Sequence, residues 1–197
     1  MSIITDSLSR RADTTSELIS PLAERWSPRG FDKDAVISDE VLTTLLEAAR
    51  WAPSASNMQP ARFIVGRRGT PTFDTIHAAL MGFNAAWADA ASALIVNIAE
   101  LTQPDGAENP WSRYDLGQAV AHLSIQAQHE GLHTHQMGGI EKEQLAEAFA
   151  LPARQAIVSV TALGELAEVA TLPAELLERE SAPRTRKSLD EIVLITD

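Results

Sequence analysis

The sequence predicts a protein of mixed α+β or α/β class, because helical patterns and short buried strands alternate along the chain. Three observations support this prediction. An amphipathic helical pattern ends near Ala52 and is followed by a short apolar run at 63–65. Two longer apolar runs, at 93–98 and 156–163, have the length and the β-branched residues of central strands. The longest helical pattern, at 114–130, lies between these two runs.

The N-terminal part of the chain begins with residues 1–20, which are polar and which we interpret as an N-terminal arm or helix. A short helix is predicted at 21–26. A second helix begins at Ser38, because a serine hydroxyl at the N-cap accepts a hydrogen bond from the first turn. Pro53 ends this helix, because proline lacks an N–H and its ring clashes with the preceding turn.

The remaining elements follow from the apolar runs and from the residues that end them. Gly66 ends the strand at 63–65, and Gly131 ends the long helix. The other predicted elements are helices at 73–80, 141–150 and 173–180, an interruption at 81–84, and a strand-forming C-terminal segment. Small residues in the long helix permit close packing, either within the core or against a second subunit.

Composition excludes several classes of function. The chain has 197 residues, and its hydrophobic fraction of 45% is sufficient for a core. No apolar run reaches the roughly 18 residues that span a membrane, and no secretory signal is evident, so we expect a cytoplasmic protein without a membrane partner. The absence of cysteine excludes disulfides and thiolate chemistry. The net charge of −11 argues against nucleic-acid binding.

Basic residues are clustered in spite of the acidic composition. The clusters are Arg25 with Arg29, Arg67 with Arg68, and Arg184, Arg186 and Lys187. Arginine forms bidentate, charge-assisted hydrogen bonds with phosphate, so each cluster is a candidate site for a small anion. The alternative is that these residues pair with the plentiful surface carboxylates.

The loop between the second helix and the first strand is rich in neutral polar groups. Ser54, Ser56, Asn57 and Gln59 lie within six residues, and each side chain both donates and accepts hydrogen bonds. Such a loop suits a planar heterocycle with donors and acceptors along its edge. A simple connection capped by serine and asparagine is the alternative interpretation.

Four histidines raise the question of a metal site: His122, His129, His133 and His135. Gly131 separates them, and no set of carboxylates completes a ligand group, so we predict no metal. The following Gly138 and Gly139 permit close approach of the backbone to a ligand, or form an ordinary turn.

Three motifs resemble those of the nitroreductase family. The pattern A-x-x-A-P-S-x-x-N-x-Q-P-x-x-F is present over 49–63, and R-x-S-x-R-x-F is present over 25–31. A basic group followed by L-x-E-I-V is present over 184–193. The motifs occur in the family's order and together span most of the chain, which makes the resemblance specific. The sequence departs from the family at Ala61, where an aromatic residue is common, and at Gly138, where some members have an acid.

The resemblance implies an α+β sandwich with a central, mainly antiparallel sheet flanked by helices, and a homodimer. Residues 21–197 would form one FMN-binding domain. The implied activity is oxidation of NAD(P)H and reduction of a small electron acceptor, such as a nitroaromatic or a quinone, in ping-pong fashion. The alternatives are a specialised member (a dehalogenase, an enal or aldehyde reductase, or a flavin-destroying enzyme) and a non-catalytic flavin-binding protein.

The resemblance also implies which residues bind the cofactor. No catalytic side chain is implied, because the flavin supplies the chemistry. Asn84, one of the implied residues, has an alternative interpretation as an exposed loop residue, because its spacing from neighbouring residues matches the family only loosely. The implied FMN-binding residues are Arg25, Ser27, Arg29, Pro53, Ser54, Asn57, Gln59, Asn84, Gly138, Gly139, Arg184 and Arg186.

Overall fold

The computed structural model describes residues 10–196 and shows one antiparallel sheet flanked by helices. The strands are β1 (Ala61–Arg67), β2 (Ala93–Glu100), β3 (His133–Met137) and β4 (Gln155–Gly164). The α-helices of the described residues are α1 (Ser20–Glu24), α2 (Asp39–Arg50), α3 (Pro71–Ala78), α4 (Ala85–Ala88), α5 (Ser112–His129), α6 (Lys142–Ala148), α7 (Ala174–Ser181) and α8 (Leu189–Ile192). None of these helices is long and apolar enough to cross a membrane.

The sheet has the strand order β1-β2-β4-β3, and each neighbouring pair is antiparallel. β1 and β3 are therefore the two edges. The start of β1 and the end of β2 lie at one end of the sheet, where Ala61 pairs with Ala99. The start of β3 lies at the opposite end, where His133 pairs with Gly164. This register fixes which loops can meet within one chain.

The two faces of the sheet carry separate apolar layers. Side chains alternate along a strand, so Leu94 and Val96 of β2 face one layer, and Ala93 and Ile95 face the other. The first layer is closed by α3, α4 and α6, and the second by α2 and α5. This arrangement confirms the predicted α+β sandwich with a central antiparallel sheet.

Helix α2 forms as its sequence predicts. The Ser38 hydroxyl accepts a hydrogen bond from the Val41 N–H at 3.2 Å, and two acidic residues occupy the first turn, where the helix dipole favours them. Leu42, Leu45 and Ala49 recur at three- and four-residue spacing and are buried against the sheet. Because α2 is packed against the sheet, the start of the polar loop at 53–59 has a fixed position.

Strand β1 passes very close to the first turn of α3. A Cβ atom added to Gly66 would lie 2.5 Å from the backbone nitrogen of Phe73 and 2.6 Å from its Cα. Only glycine permits this approach, because both neighbouring atoms belong to the backbone and cannot rotate away.

Most predicted elements are confirmed within a few residues, but two segments differ. β3 was not predicted, because its sequence, HTHQM, lacks an apolar run. The predicted C-terminal strand is wrong for the single chain: Leu189–Ile192 form α8, which begins with a capping box between Ser188 and Glu191. Of the predicted N-terminal arm or helix, residues 10–19 form no helix, and residues 1–9 lie outside the described residues.

Candidate functional site

Four arginines from both ends of the described chain come together beside α1. We call Arg10, Arg25, Arg184 and Arg186 the arginine cluster. The Arg184 guanidinium donates to the backbone oxygens of Arg10 and Ala23, the second at 3.1 Å. Burial lowers the pKa of Arg184, and the positive charges of the other three arginines lower it further. Arg25, Arg184 and Arg186, three of the residues that the resemblance implies for cofactor binding, therefore lie near one another in the structure.

Within the described residues, the arginine cluster has no counter-charge. None of its members lies within ion-pair distance of a carboxylate in the part of the chain that the structure describes, whereas Arg11, beside it, pairs with Glu24 at 3.0 Å. Burial, followed by the charge of Arg186, lowers the pKa of Arg25. The Arg25 guanidinium donates to the Ser27 hydroxyl at 3.3 Å, which orients it. An anion bound here would relieve the repulsion and accept charge-assisted hydrogen bonds.

His133, at the start of β3, lies next to this cluster. Its ring makes an edge contact with Trp26, with the centroids 4.6 Å apart, and only 8% of the residue is exposed. Neither ring nitrogen has a hydrogen-bond partner in the described structure. Burial lowers the pKa of His133 to about 4, and the charge of Arg25 contributes. Two buried and unpaired ring nitrogens fit a polar ligand at this place better than a purely apolar core.

We expect the protein without a bound anion to lose stability as the pH falls from about 6.5 to about 4. In this interval the unfolded chain protonates His133 and the folded chain does not, so acid favours unfolding by up to about 3 kcal/mol. His133→Phe should remove this loss. Urea unfolding at pH 7.5 and pH 4.5 measures the difference, and His122→Phe, on the exposed face of α5, is the control. If wild type and His133→Phe lose the same free energy of unfolding between pH 7.5 and pH 4.5, the assignment of this loss to His133 is wrong.

Glu180 fixes the segment that carries Arg25. This carboxylate is buried on α7 and accepts hydrogen bonds from the Trp26 indole at 3.1 Å and from the Arg29 backbone N–H at 2.7 Å. His135 of β3 donates to the Pro28 carbonyl oxygen at 2.8 Å. The segment is thus held from two sides, and its turn does not depend on a ligand.

Arg29 does not share the surroundings of the arginine cluster. Burial lowers the pKa of its guanidinium, and the nearby charges of Glu180 and Arg179 act on it in opposite directions. Its backbone is bound to Glu180. The structure thus gives Arg29 a carboxylate neighbour, in contrast to the three other predicted arginines.

The other end of β3 leads into the Gly138–Gly139 loop, where Asn84 also lies. The Asn84 amide donates to the Gly139 carbonyl oxygen at 3.3 Å, and the Met81 N–H donates to the same oxygen at 3.0 Å. Neither glycine has a positive φ, so a side chain at either position would not force a forbidden backbone angle. A Cβ atom on Gly139 would lie 3.2 Å from the Asn84 amide nitrogen, whereas one on Gly138 would meet nothing within 4 Å.

β3 connects the two groups of candidate residues. A strand rises about 3.3 Å per residue, so His133 and Gly138 are roughly 16 Å apart along the edge of the sheet. Positive charge lies at one end of this edge, and backbone groups with a side-chain amide lie at the other. The edge suits an elongated ligand with an anionic end and a polar ring.

The loop at 53–59 has an unusual conformation. Ser56, Asn57 and Gln59 have φ values of 49°, 55° and 49°, in the left-handed region that residues other than glycine adopt rarely. The Gln59 N–H donates to the Ser54 hydroxyl at 3.0 Å, and the buried Asp115 carboxylate of α5 accepts the Ala55 N–H at 3.0 Å. Because strained backbone persists only where its surroundings determine it, this loop is a candidate binding element.

Within one chain this loop is far from the other candidate residues. It precedes β1, whereas the arginine cluster and Gly139 lie beside β3, at the opposite edge. Two strands separate the edges, so at a spacing of about 4.8 Å the distance is roughly 14 Å or more. No hydrogen bond joins the loop to either group among residues 10–196. One chain therefore does not bring all the predicted site residues together.

The surface around the loop is apolar and open. A pocket of about 400 Å³ lies between the end of α2, the loop and β1. Trp51, Trp111 and Tyr114 are large apolar side chains nearby that remain exposed, and Trp51 is 74% exposed. The C-terminal residues Val193, Leu194 and Ile195 are exposed as well. Surfaces of this kind are usually covered by a partner.

Several residues of the site could not be found from the sequence. Arg10 and Glu180 lie in polar or acidic segments without a motif, and the buried Asp115 lies in a helix that otherwise reads as core. His133 stood out only as part of a histidine group. No group of three or more metal-ligating side chains occurs in the described residues.

Comparisons with known proteins identify similar chains. The Nitroreductase family model matches residues 22–70 and 69–165. An uncharacterized 15.4 kDa protein in the ask 5′ region of Mycolicibacterium smegmatis is 39% identical over 142 residues, which are 66% of this chain and 92% of that protein. The YdgI protein of Bacillus subtilis strain 168, whose assignment as an NAD(P)H nitroreductase is provisional, is 26% identical over 191 residues, which are 78% of this chain and 90% of YdgI.

The fold is also present in solved structures. A crystal structure described as an oxidoreductase containing FMN superposes with a TM-score of 0.86 and 33% identity, and the match covers 95% of each chain. The described sheet and its flanking helices are thus shared over nearly the full length of both chains.

Proposed function

We propose that this chain, which belongs to the nitroreductase family, is an FMN-dependent oxidoreductase that oxidises NAD(P)H and reduces an electron-poor small molecule. The observation that carries the proposal is the arginine cluster, where three partly buried arginines and the exposed Arg186 meet without a carboxylate at ion-pair distance among the described residues. The cluster lies at one end of β3, where it would bind the phosphate at one end of an elongated cofactor. The similar oxidoreductase that contains FMN supports the choice of cofactor.

The two ends of the β3 edge would hold different parts of FMN. Arg25, Arg184 and Arg186 would bind the phosphate, and the Ser27 hydroxyl orients Arg25 toward it. Asn84 and the backbone of Gly138–Gly139 would face the ring. A Cβ atom at Gly139 would lie 3.2 Å from the Asn84 amide nitrogen, so a larger residue there would shift this amide slightly.

FMN, when bound, supplies the hydride chemistry, because the isoalloxazine ring accepts and returns electron pairs. The residues of this chain have other tasks. The backbone N–H groups of Gly138–Gly139 and the Asn84 amide would stabilise negative charge on the ring through preorganised hydrogen bonds. Glu180 and His135 keep the phosphate-binding segment rigid, so FMN binding would cost little conformational entropy there. Nitroaromatics and quinones are the acceptors we propose.

We propose that the functional unit is a homodimer. The loop at 53–59 carries four predicted site residues, Pro53, Ser54, Asn57 and Gln59, yet it lies at the far edge of the sheet from the arginine cluster. A second copy would place its own loop against the ring end of the β3 edge, near Gly138–Gly139, and would cover the exposed Trp51, Trp111 and Tyr114. This arrangement explains both the separation of the site residues and the exposed apolar surface.

The test combines spectroscopy with turnover. We expect the purified protein, reconstituted with FMN, to show the visible bands of bound flavin and to oxidise NADH or NADPH when a quinone or a nitroaromatic is added. Riboflavin-free buffer and denatured protein are the controls. A folded protein that does not bind FMN would contradict the proposal, and binding without turnover would favour a non-catalytic flavin-binding protein.

Trp51→Glu should separate the dimer and reduce FMN binding, because the charge would be desolvated in an interface. Val36→Glu is the matched control: Val36 is 80% exposed and lies before the opposite end of α2. Light scattering gives the mass of each variant, and flavin absorbance gives the bound FMN. If Trp51→Glu remains a fully FMN-bound dimer, this surface is not the interface.

A further inference from the structure

The N-terminal arm, residues 10–19, crosses the arginine cluster. The Ala12 N–H donates to the Ala23 carbonyl oxygen at 2.6 Å, which attaches the arm to α1. Arg10 donates to the Ala182 carbonyl oxygen at 2.8 Å and accepts a hydrogen bond from Arg184 on its backbone oxygen. The arm thereby connects the two segments that carry the other arginines. It lies outside the part of the chain that the family model matches, which begins at residue 22.

The Arg10 side chain is only partly satisfied by these contacts. Its guanidinium carbon lies 5.7 Å from the centre of the Trp26 ring, which is within cation–π distance. One of its terminal nitrogens, Nη1, is buried and has no hydrogen-bond partner in the described structure. A buried guanidinium nitrogen without a partner is costly, so its place requires an explanation.

The neighbouring Arg11 shows what an ordinary arginine of this arm does. Arg11 is exposed and pairs with Glu24 of α1 at 3.0 Å. Arg10 instead lies beside Arg184, whose pKa its charge lowers, and no carboxylate lies within ion-pair distance of Arg10 among residues 10–196. Like charges that lie close together repel, and an anion bound among them would offset this repulsion.

We propose that Arg10 is a fourth ligand of the cofactor phosphate, and that the N-terminal arm is a strap that retains this phosphate. The inference rests on the proposed function, since it takes the anion to be the phosphate of FMN. Because the strap is attached both to α1 and to Ala182, its opening must precede release of the phosphate. Arg10 should therefore affect the dissociation rate more than the association rate.

The experiment compares Arg10→Ala, Arg10→Lys and Arg11→Ala with wild type, each reconstituted with FMN or with riboflavin, which lacks the phosphate. Flavin fluorescence gives the dissociation constants, and dilution with a flavin trap gives the release rates. We expect Arg10→Ala to release FMN about tenfold faster, since one charge-assisted hydrogen bond is lost. Riboflavin release should be unchanged, Arg10→Lys should restore part of the loss, and Arg11→Ala should match wild type.

A second measurement does not need a flavin. Inorganic phosphate should raise the melting temperature of the apo protein, and the rise should be smaller for Arg10→Ala than for Arg11→Ala. If Arg10→Ala weakens the binding of FMN and of riboflavin equally, Arg10 only packs the arm, and the inference is overturned. So would unchanged FMN release. If wild type and Arg11→Ala bind no FMN at all, the proposed function is wrong instead. The melting temperatures with inorganic phosphate still decide whether Arg10 belongs to an anion site.

Discussion

Replacement of Arg25 by alanine is expected to weaken FMN binding about 10- to 100-fold, because a buried, charge-assisted contact with the phosphate is lost. Arg25 is half-buried, is oriented by Ser27, and follows directly after α1. The apo protein should not be destabilised, since the substitution also removes repulsion within the arginine cluster. Weaker binding with undiminished apo stability is the signature of a ligand-binding arginine.

Fluorescence titration with FMN measures the first effect, and urea unfolding of the apo protein measures the second. Arg154→Ala is the matched control: it removes the same charge at the other end of the sheet, where Arg154 pairs with Glu100 at 3.0 Å. Arg154→Ala should leave FMN affinity unchanged. An Arg25→Ala variant that binds FMN as tightly as wild type would exclude this cluster as the phosphate site.

Gly66→Ala is expected to lower the free energy of unfolding by about 3 kcal/mol or more, because the added methyl group would enter the backbone of α3. The new Cβ would lie 2.5 Å from the Phe73 nitrogen, and neither β1 nor α3 can move without disturbing the apolar layer between them. A loss of this size is a large part of the stability of an ordinary domain.

Gly138→Ala is the control for this prediction. It adds the same methyl group where nothing lies within 4 Å, so the free energy of unfolding should change by less than about 0.5 kcal/mol. Urea unfolding followed by circular dichroism compares the two variants. Equal stability of Gly66→Ala and wild type would mean that β1 and α3 are not in the close contact described.

The sequence predicts the architecture well where a pattern is local. The helix from Ser38, the apolar strands around Ile95 and Val160, and the long helix that ends before Gly131 are all present, because capping and periodicity act over a few residues. β3 could not be predicted in this way, because His133 and His135 are buried by contacts with distant aromatic rings. The strand prediction for the C-terminal segment came from its resemblance to the family's closing motif, but Leu189–Ile192 form α8, which the capping box between Ser188 and Glu191 favours.

The site shows the same division. Motif residues such as Arg25 and Arg184 could be named in advance, and the structure brings them together. Arg10 and Glu180 could not, because their roles depend on contacts across more than 150 residues of sequence, which no local pattern encodes. Arg29, in contrast, matches the motif, yet its neighbour in the folded chain is Glu180.

The convergence of both chain ends on one anion site has a consequence for the lifetime of the protein in a cell. Without an anion, repulsion among the four arginines acts on segments near the two termini, and terminal segments are where proteolysis usually starts. When FMN is bound, it stabilises the folded state by mass action, and its phosphate holds the two terminal segments against each other. We therefore expect the abundance of this protein to follow flavin supply, with the apo form degraded first when flavin is scarce.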